Sequence, residues 1–198
     1  MVKRARAQAA LLGLCACSTY VTAGTGDDAQ LGEFQAECDG LADGAEEAAR
    51  LELAALDRID DERRRGGRCG DRTFPPQPPL RRDPRLTCAA RRHAQDMSDR
   101  GYVGAVDPDG IHLGRRLEDA DYRPSLWVAA VGAGWTDADH AVESWLQNPL
   151  HCYKLFAREL EDIGVGVYLP PEGAPEPVDS DGDGPAYATF WTLFVAAP

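Results

Sequence analysis

The side chains with the most reactive chemistry in this 198-residue sequence are its four histidines and six cysteines. Imidazole nitrogens bind zinc-like ions or move protons, but a tight site needs several ligands that converge on one point. His151 is followed directly by Cys152, and neighbours on a helix point about 100° apart, so the two do not form a nucleophile–base dyad. His112 is a candidate second ligand beside His151, whereas His93 lies on an apolar helical stripe and is expected to be a hydrogen-bonded core residue.

An acidic motif offers a second kind of metal chemistry. Asp179, Asp181 and Asp183 occupy positions 1, 3 and 5 of a calcium-type loop, but position 12 is Phe190 where such a loop has a bidentate glutamate. The surrounding segment, residues 169–186, has five prolines and five acidic residues and is expected to connect two strands. Two interpretations remain open, a solvated turn and a weak calcium site.

The cysteines indicate an oxidising compartment. Cys15 and Cys17 belong to the N-terminal leader, which leaves four others, and none of them forms a Cys-x-x-Cys pair. An even number without zinc-type spacing predicts two disulfides rather than a structural zinc site. From the sequence alone three pairings are open for Cys38, Cys69, Cys88 and Cys152.

The first residues are typical of an export signal. A basic start (residues 3–6) precedes an apolar run (residues 9–17) that is too short to span a membrane. The last four residues of that run, Leu-Cys-Ala-Cys, resemble a bacterial lipobox, in which Cys17 becomes the lipidated first residue of the mature chain. Ordinary cleavage after Ala23 is the alternative. We therefore expect an exported protein, either an outer-membrane lipoprotein or a secreted or periplasmic one.

Composition and charge limit the remaining function classes. The 33 acidic against 21 basic residues argue against a nucleic-acid partner, and no glycine-rich phosphate-binding loop is present. We divide the chain into a signal peptide (residues 1–17), an acidic flexible tether (residues 18–46) and one domain (residues 47–198). Ten arginines in residues 63–92 form either a solvated face or a surface attracted to anionic lipids and envelope polymers.

Hydrophobic periodicity predicts the elements that position these residues. Helices are expected over about residues 45–65, from the Asp83 cap to Gly101, and from Thr136 to Asn148. Strands are expected over residues 163–169 and 187–195, and the second is apolar on both faces. Because such a strand must be covered on both sides, the pattern predicts an α+β fold, a three-layer α-β-α sandwich around a central, mainly antiparallel sheet.

The order of several short motifs resembles the bacterial branch of the CAP superfamily, which includes cysteine-rich secretory proteins, antigen 5 and pathogenesis-related proteins. The resemblance covers about residues 47–198. The motifs that carry it are Ile59–Arg63, Pro79-Leu80, Ala89–Met97, Gly101-Tyr102, Asp107–Gly110, Asn148–His151 and Ile163–Val167.

The resemblance implies an α-β-α sandwich with a shallow cleft, where family members hold a divalent metal with two histidines and one or two glutamates. This sequence departs from that pattern, since Ala105 replaces the first histidine and Ala129 the first glutamate. Gln147 and Asn148 stand where the second glutamate is expected, so only His151 remains. The resemblance also implies a Cys69–Cys152 disulfide, which leaves Cys38 to pair with Cys88.

Together these observations predict a non-catalytic, lipid-anchored binding module of the bacterial cell envelope. Its ligand is a lipid, a glycan or a protein, and it contacts the membrane through its N-terminal anchor. No cofactor is required, zinc is not expected, and calcium binding is at most weak. One alternative is a metal-dependent hydrolase with a relocated site that uses His151 and His112. The other is a calcium-tuned adhesion module.

Overall fold

The structure is a computed structural model that describes residue 38, residues 45–171 and residues 187–198. Its helices are α1 (Ala45–Arg65), α2 (Pro84–Asp99), α3 (Gly114–Asp119), α4 (Ala138–Gln147) and α5 (Pro149–Leu155). Its strands are β1 (Gly67–Cys69), β2 (Arg72–Phe74), β3 (Arg81–Arg82), β4 (Leu126–Ala133), β5 (Asp162–Tyr168) and β6 (Phe190–Ala197). In these parts of the chain no helix has the length and apolarity needed to cross a bilayer.

A four-stranded sheet forms the middle layer, in the order β3-β5-β6-β4. The strand β6 pairs antiparallel with both β5 and β4, and only the short strand β3 runs parallel to its neighbour. A separate antiparallel hairpin, β1-β2, follows α1 directly. The predicted α+β sandwich with a mainly antiparallel sheet is confirmed.

Strand β6 shows why the sheet needs a layer on each side. Trp191, Leu193 and Val195 pack into one core with residues of α1 and α4. Phe194 and Ala196 point the other way, into a second core with residues of α2 and α3. All residues of the strand except Ala197 are buried, so the predicted coverage of both faces is confirmed.

Helix α2 begins and ends as its sequence predicts. The Asp83 side chain accepts a hydrogen bond from the Arg85 N–H at 2.9 Å, and Pro84 occupies the first turn. Gly101, just past the helix, has a φ of +66°, a conformation that glycine adopts at little cost. The four residues predicted for its inner face are all buried: Leu86, Ala90, His93 and Met97.

Two glycines let α2 lie directly against β5. A Cβ on Gly166 would lie 2.1 Å from the Arg91 nitrogen, and one on Gly164 would lie 2.3 Å from the Thr87 nitrogen. Both neighbours are helix backbone and cannot move aside as a side chain would. The glycines of the Ile163–Val167 motif are therefore required for close packing between helix and sheet.

Two buried carboxylates connect these layers. Glu52 of α1 accepts hydrogen bonds from the Arg91 Nε at 2.8 Å and from the Val167 N–H at 2.9 Å. Asp162, at the start of β5, accepts from the Arg81 Nε at 2.6 Å and from the Tyr122 hydroxyl. Each carboxylate thus has partners on other elements, as a buried charge requires.

Five features were absent from the predicted elements: α3, α5, β3, β4 and the β1-β2 hairpin. The break at Asn148-Pro149 ends α4 as expected, but Asn148 also caps α5, because its side chain accepts from the Leu150 N–H at 3.0 Å. Residues 128–131, considered in the sequence only as a motif, lie within β4. The last strand begins at Phe190 rather than Tyr187 and continues to Ala197.

Candidate functional site

His151 lies in the first turn of α5, and its position is held from both sides. Pro149 occupies the start of the helix, where its missing N–H leaves no bond unmade, and the Asn148 side chain caps it. The next residue, Cys152, forms a disulfide with Cys69. The backbone that carries the imidazole is therefore fixed by a cap and by a covalent bond.

The Cys69–Cys152 disulfide joins β1 to α5 across 83 residues of sequence, with the two Cα atoms 5.6 Å apart. Both cysteines are buried and pack with Phe156. The pairing that the family resemblance implied is thus present in the structure. A bridge over a loop of this length stabilises a fold by roughly 2–5 kcal/mol.

The His151 side chain is half-buried, and its Nδ1 atom is buried with no hydrogen-bond partner among the described residues. Burial lowers the pKa of His151 below its ordinary value, and no charged side chain of the described chain acts on it. The ring is therefore neutral at pH 7. A neutral imidazole of this kind can accept a hydrogen bond or bind a ligand, but it has no acid or base partner.

The positions at which the family resemblance expects the other metal ligands supply none here. Ala105 is exposed, and its carbonyl accepts a hydrogen bond from Leu113 at 3.1 Å. Ala129 lies in β4 opposite Phe194. The Gln147 amide donates to Glu143 at 3.3 Å, and Asn148 serves as the helix cap.

The remaining histidines are not brought to His151 as a ligand set. His112 is exposed and pairs through its backbone with Val106. His93 is buried, and its Nε2 donates to the Gly104 carbonyl at 2.8 Å, as expected for a core histidine. Burial lowers the pKa of His93 as well. Within the described ranges no three side chains of the histidine, cysteine, aspartate and glutamate types gather into a metal-binding group.

A cluster of three tryptophans was not predicted from the sequence. The Trp145 ring meets Trp135 at 5.7 Å and Trp191 at 6.3 Å between centroids, both edge to face. The Trp191 Nε1 donates to the Trp135 carbonyl at 2.9 Å. The Trp145 Nε1 is buried without a partner in the described chain. The indole nitrogen of Trp191 is thus hydrogen-bonded and, among the described residues, that of Trp145 is not, a difference that the sequence does not predict.

The second cysteine pair is close in space. Cys38 and Cys88 are both buried, and the Cys38 thiol lies within hydrogen-bonding reach of Cys88 and of Arg91. The hydrogen bond with Cys88 raises the pKa of the Cys38 thiol, and burial adds to this effect. The two sulfurs are not bonded to each other in the structure, so the second bridge remains a prediction. At Cys38 the predicted tether contacts the domain.

The arginine-rich segment finds its partners inside the domain. Arg81 pairs with Asp162, Arg91 with Glu52, Arg82 with Asp57, and Arg64 and Arg65 with Asp61. Two other candidate sites, the calcium-type motif with Asp179, Asp181 and Asp183 and the lipidation site Cys17, lie outside the described residues.

Comparison with solved structures gives the same architecture. An extracellular protein containing an SCP domain from Bacillus anthracis aligns with a TM-score of 0.55 and 21% identity, over 80% of this chain and 44% of that one. A cysteine-rich secretory protein from Staphylococcus aureus aligns with a TM-score of 0.50 and 14% identity, over 77% and 40%. This chain thus spans less than half the length of either protein.

An outer surface protein from Borrelia burgdorferi aligns with a TM-score of 0.49 and 16% identity, over 72% of this chain and 90% of that one. No curated protein matches the chain. The family model described as the cysteine-rich secretory protein family, CAP, matches residues 57–174, which is more than half of the 198 residues. The chain therefore belongs to the CAP family of cysteine-rich secretory proteins.

Proposed function

We propose that this CAP domain is a non-catalytic binding module of the bacterial cell envelope, exported and anchored through a lipid on Cys17. The observation that carries the proposal is the isolation of His151: its buried Nδ1 has no hydrogen-bond partner and no charged side chain acts on the ring, among the residues that the structure describes. Acid–base or metal-assisted hydrolysis needs at least one further group in contact with such a ring. Alanine occupies two of the positions from which the family pattern would supply it, and Gln147 and Asn148 stand at the third.

Support for export comes from three independent features. The basic and apolar N-terminus has the layout of a secretory signal. The Cys69–Cys152 bridge requires an oxidising compartment. The Bacillus anthracis protein with the same fold is extracellular. On this proposal the ligand is a lipid, a glycan or a protein, and no cofactor is required.

Native mass spectrometry of the full chain, expressed with its leader in a bacterial host, tests the proposal. A lipid-modified N-terminus at Cys17, lost in Cys17→Ser, is the expected result for the anchor. Titration with zinc should leave the mass unchanged. One zinc bound per chain, lost in His151→Ala and kept in the exposed control His140→Ala, would support the hydrolase alternative instead.

The same spectra test the calcium alternative. Calcium bound by the wild-type chain and lost in Asp181→Ala would show that the acidic motif is a site. An unchanged mass at millimolar calcium would leave the motif as a solvated turn. Neither calcium outcome alters the interpretation of the His151 cleft, because the two sites share no residue.

A further inference from the structure

A surface cavity of about 350 Å³ lies at the carboxyl end of α1, and His151 is not among the residues that line it. Its volume is at the low end of the range for small-molecule sites, about 300–1,000 Å³. The walls come from α1, from the proline-rich segment that leads to β3, and from the loop before β5. The side chains that matter for its chemistry are Arg63, Gln77, Arg81, Arg158 and Glu161. We call it the basic cavity.

Arg63 is the unusual member, because it is a buried cation with 2% of its surface exposed. Its Nε donates to the Pro78 carbonyl at 2.8 Å, and its Nη1 donates to the carbonyls of Leu155 and Ala157. Within the described chain no carboxylate makes a direct salt bridge with it. Burial lowers its pKa, and the charge of the nearby Asp60 carboxylate partly offsets this effect. Carbonyl dipoles satisfy the N–H groups of a guanidinium but do not neutralise its charge.

The other two arginines leave donor groups available. Arg81 gives its Nε and Nη2 to Asp162, at 2.6 and 2.8 Å, which leaves its Nη1 uncommitted on a side chain that is 64% exposed. Arg158 is exposed and makes no ion pair with any described residue. The Nη2 of Arg63 likewise has no hydrogen bond in the described chain. Glu161 is the carboxylate that lines the cavity directly.

A second cavity, of about 430 Å³, extends the basic surface beyond Gln77 and Arg158, which line both. It adds the cations Arg72 and Lys154, the carboxylate Glu159 and the aromatic ring of Tyr153. The Arg72 guanidinium lies over that ring, 5.5 Å from its centroid. A ligand held at the basic cavity therefore has further cationic and aromatic contacts available at one side.

We propose that the basic cavity binds the phosphate group of a phosphate-bearing ligand. Guanidinium donors from three separate segments suit a tetrahedral oxyanion, which has acceptor oxygens in several directions, better than a planar carboxylate. Asp60 acts on Arg63 only at a distance, and a bound anion would add a direct charge-assisted contact to the guanidinium. The proposal gives a ligand class to the binding role proposed above and rests on that role.

Titration calorimetry of the full chain with inorganic phosphate, at physiological ionic strength, tests the site. Arg158→Gln removes one exposed charge from the cavity wall and should weaken binding roughly tenfold, the effect of losing a charge-assisted hydrogen bond. Arg92→Gln is the matched control, since Arg92 is also exposed but lines neither cavity. Its affinity should stay within about twofold of the wild type. Absence of binding, or equal weakening in both variants, would overturn the proposal.

Two further ligands identify where the phosphate comes from. Short-chain phosphatidylglycerol that binds more tightly than glycerol phosphate, with the same dependence on Arg158, assigns the site to an anionic lipid headgroup. Equal affinities for the two assign it to a soluble or polymeric phosphate ester. Failure of these titrations leaves the interpretation of the His151 cleft intact, whereas zinc-dependent hydrolysis would overturn the proposed function without changing phosphate binding.

Discussion

In one region of this domain a buried polar group has several hydrogen-bond partners, and in another region a buried polar group has none in the described chain. Where α1, α2 and β5 meet, Glu52 is buried but accepts hydrogen bonds from Arg91 and from the Val167 backbone. At α5, the His151 ring has a buried nitrogen without a partner in the described chain, and no charged group of the described residues shifts its pKa. A charge with several partners stabilises a fold, whereas a neutral group without partners remains available to a ligand.

The largest effect is expected where the paired region is broken. Glu52→Ala leaves Arg91 buried without its carboxylate, and we expect a loss of about 3–5 kcal/mol in the free energy of unfolding. Glu46→Ala is the matched control, because Glu46 lies on the same helix and pairs with Arg50 on the surface. Its loss should be about 0–0.5 kcal/mol. Denaturant titration of both variants measures the difference, and similar losses would contradict the contrast between buried and exposed pairs.

Removal of the Cys69–Cys152 disulfide should give the next largest loss of stability. Replacing Cys69 and Cys152 together by alanine should lower the free energy of unfolding by about 2–4 kcal/mol, mainly because the unfolded chain gains freedom. Thermal unfolding with and without a reductant measures it, and the variant should not respond to reduction. If reduction destabilises the wild type and the double variant equally, the bridge is not the stabilising element.

The packing of α2 on β5 allows a smaller test. Gly166→Ala places a Cβ against helix backbone and should lower the free energy of unfolding by about 1–3 kcal/mol. Gly104→Ala is the control, because the nearest atom to its added Cβ would be 3.6 Å away and its φ is not positive. Equal stability of the two variants in denaturant would show that the helix and the strand are not in the close contact described.

The smallest effect is expected from the pair Cys38 and Cys88. On exposure to a small-molecule disulfide, thiol–disulfide exchange should oxidise both thiols to one bridge, and the small disulfide is reduced to two thiols. Thiol labelling under denaturing conditions should then find neither Cys38 nor Cys88 reactive, and Cys38→Ala should leave Cys88 reactive. The free energy of unfolding should change by about 0–2 kcal/mol. Two thiols that stay reactive would contradict the pairing.

The sequence predicts the long helices and the two central strands because their apolar residues follow a clear period. Leu86, Ala90, His93 and Met97 have helical spacing, and all four are buried. The apolar residues of β6 alternate between two cores. The cap of α2 is also readable, since Asp83 and Pro84 are local signals that need no knowledge of the fold.

The features that escaped prediction depend on contacts between distant segments. Strand β4 lies at the edge of the sheet, and most of its alanines and valines are only half-buried. It pairs with β6, which is distant in the sequence: Trp127, for example, lies opposite Ala196. Asn148 and Pro149 end α4 and also begin α5. Because the same two residues are typical of a helix end and of a helix start, the second helix was not predicted.

The candidate site likewise has one part that the sequence predicts and one part that it does not. The loss of the family's ligand residues is visible at Ala105 and Ala129, because a short motif is enough to locate them. The basic cavity is not visible, since Arg63, Arg81 and Arg158 come from three segments that meet only in the folded chain. Arg63 and Arg81 belong to the arginine-rich segment, residues 63–92, and Arg158 lies outside it, so the sequence shows their charge but not that they meet.

The most direct test of the central claim is an NMR titration of the His151 ring against pH, without and with one equivalent of zinc. Because burial lowers its pKa, we expect a midpoint below the ordinary value of about 6.5. Protonation of the ring then opposes folding, and stability falls as the pH drops through that range. Zinc should leave the ring resonances unchanged. A midpoint above about 6.5, or resonances that shift at one equivalent of zinc, would contradict the account and indicate a catalytic or metal site.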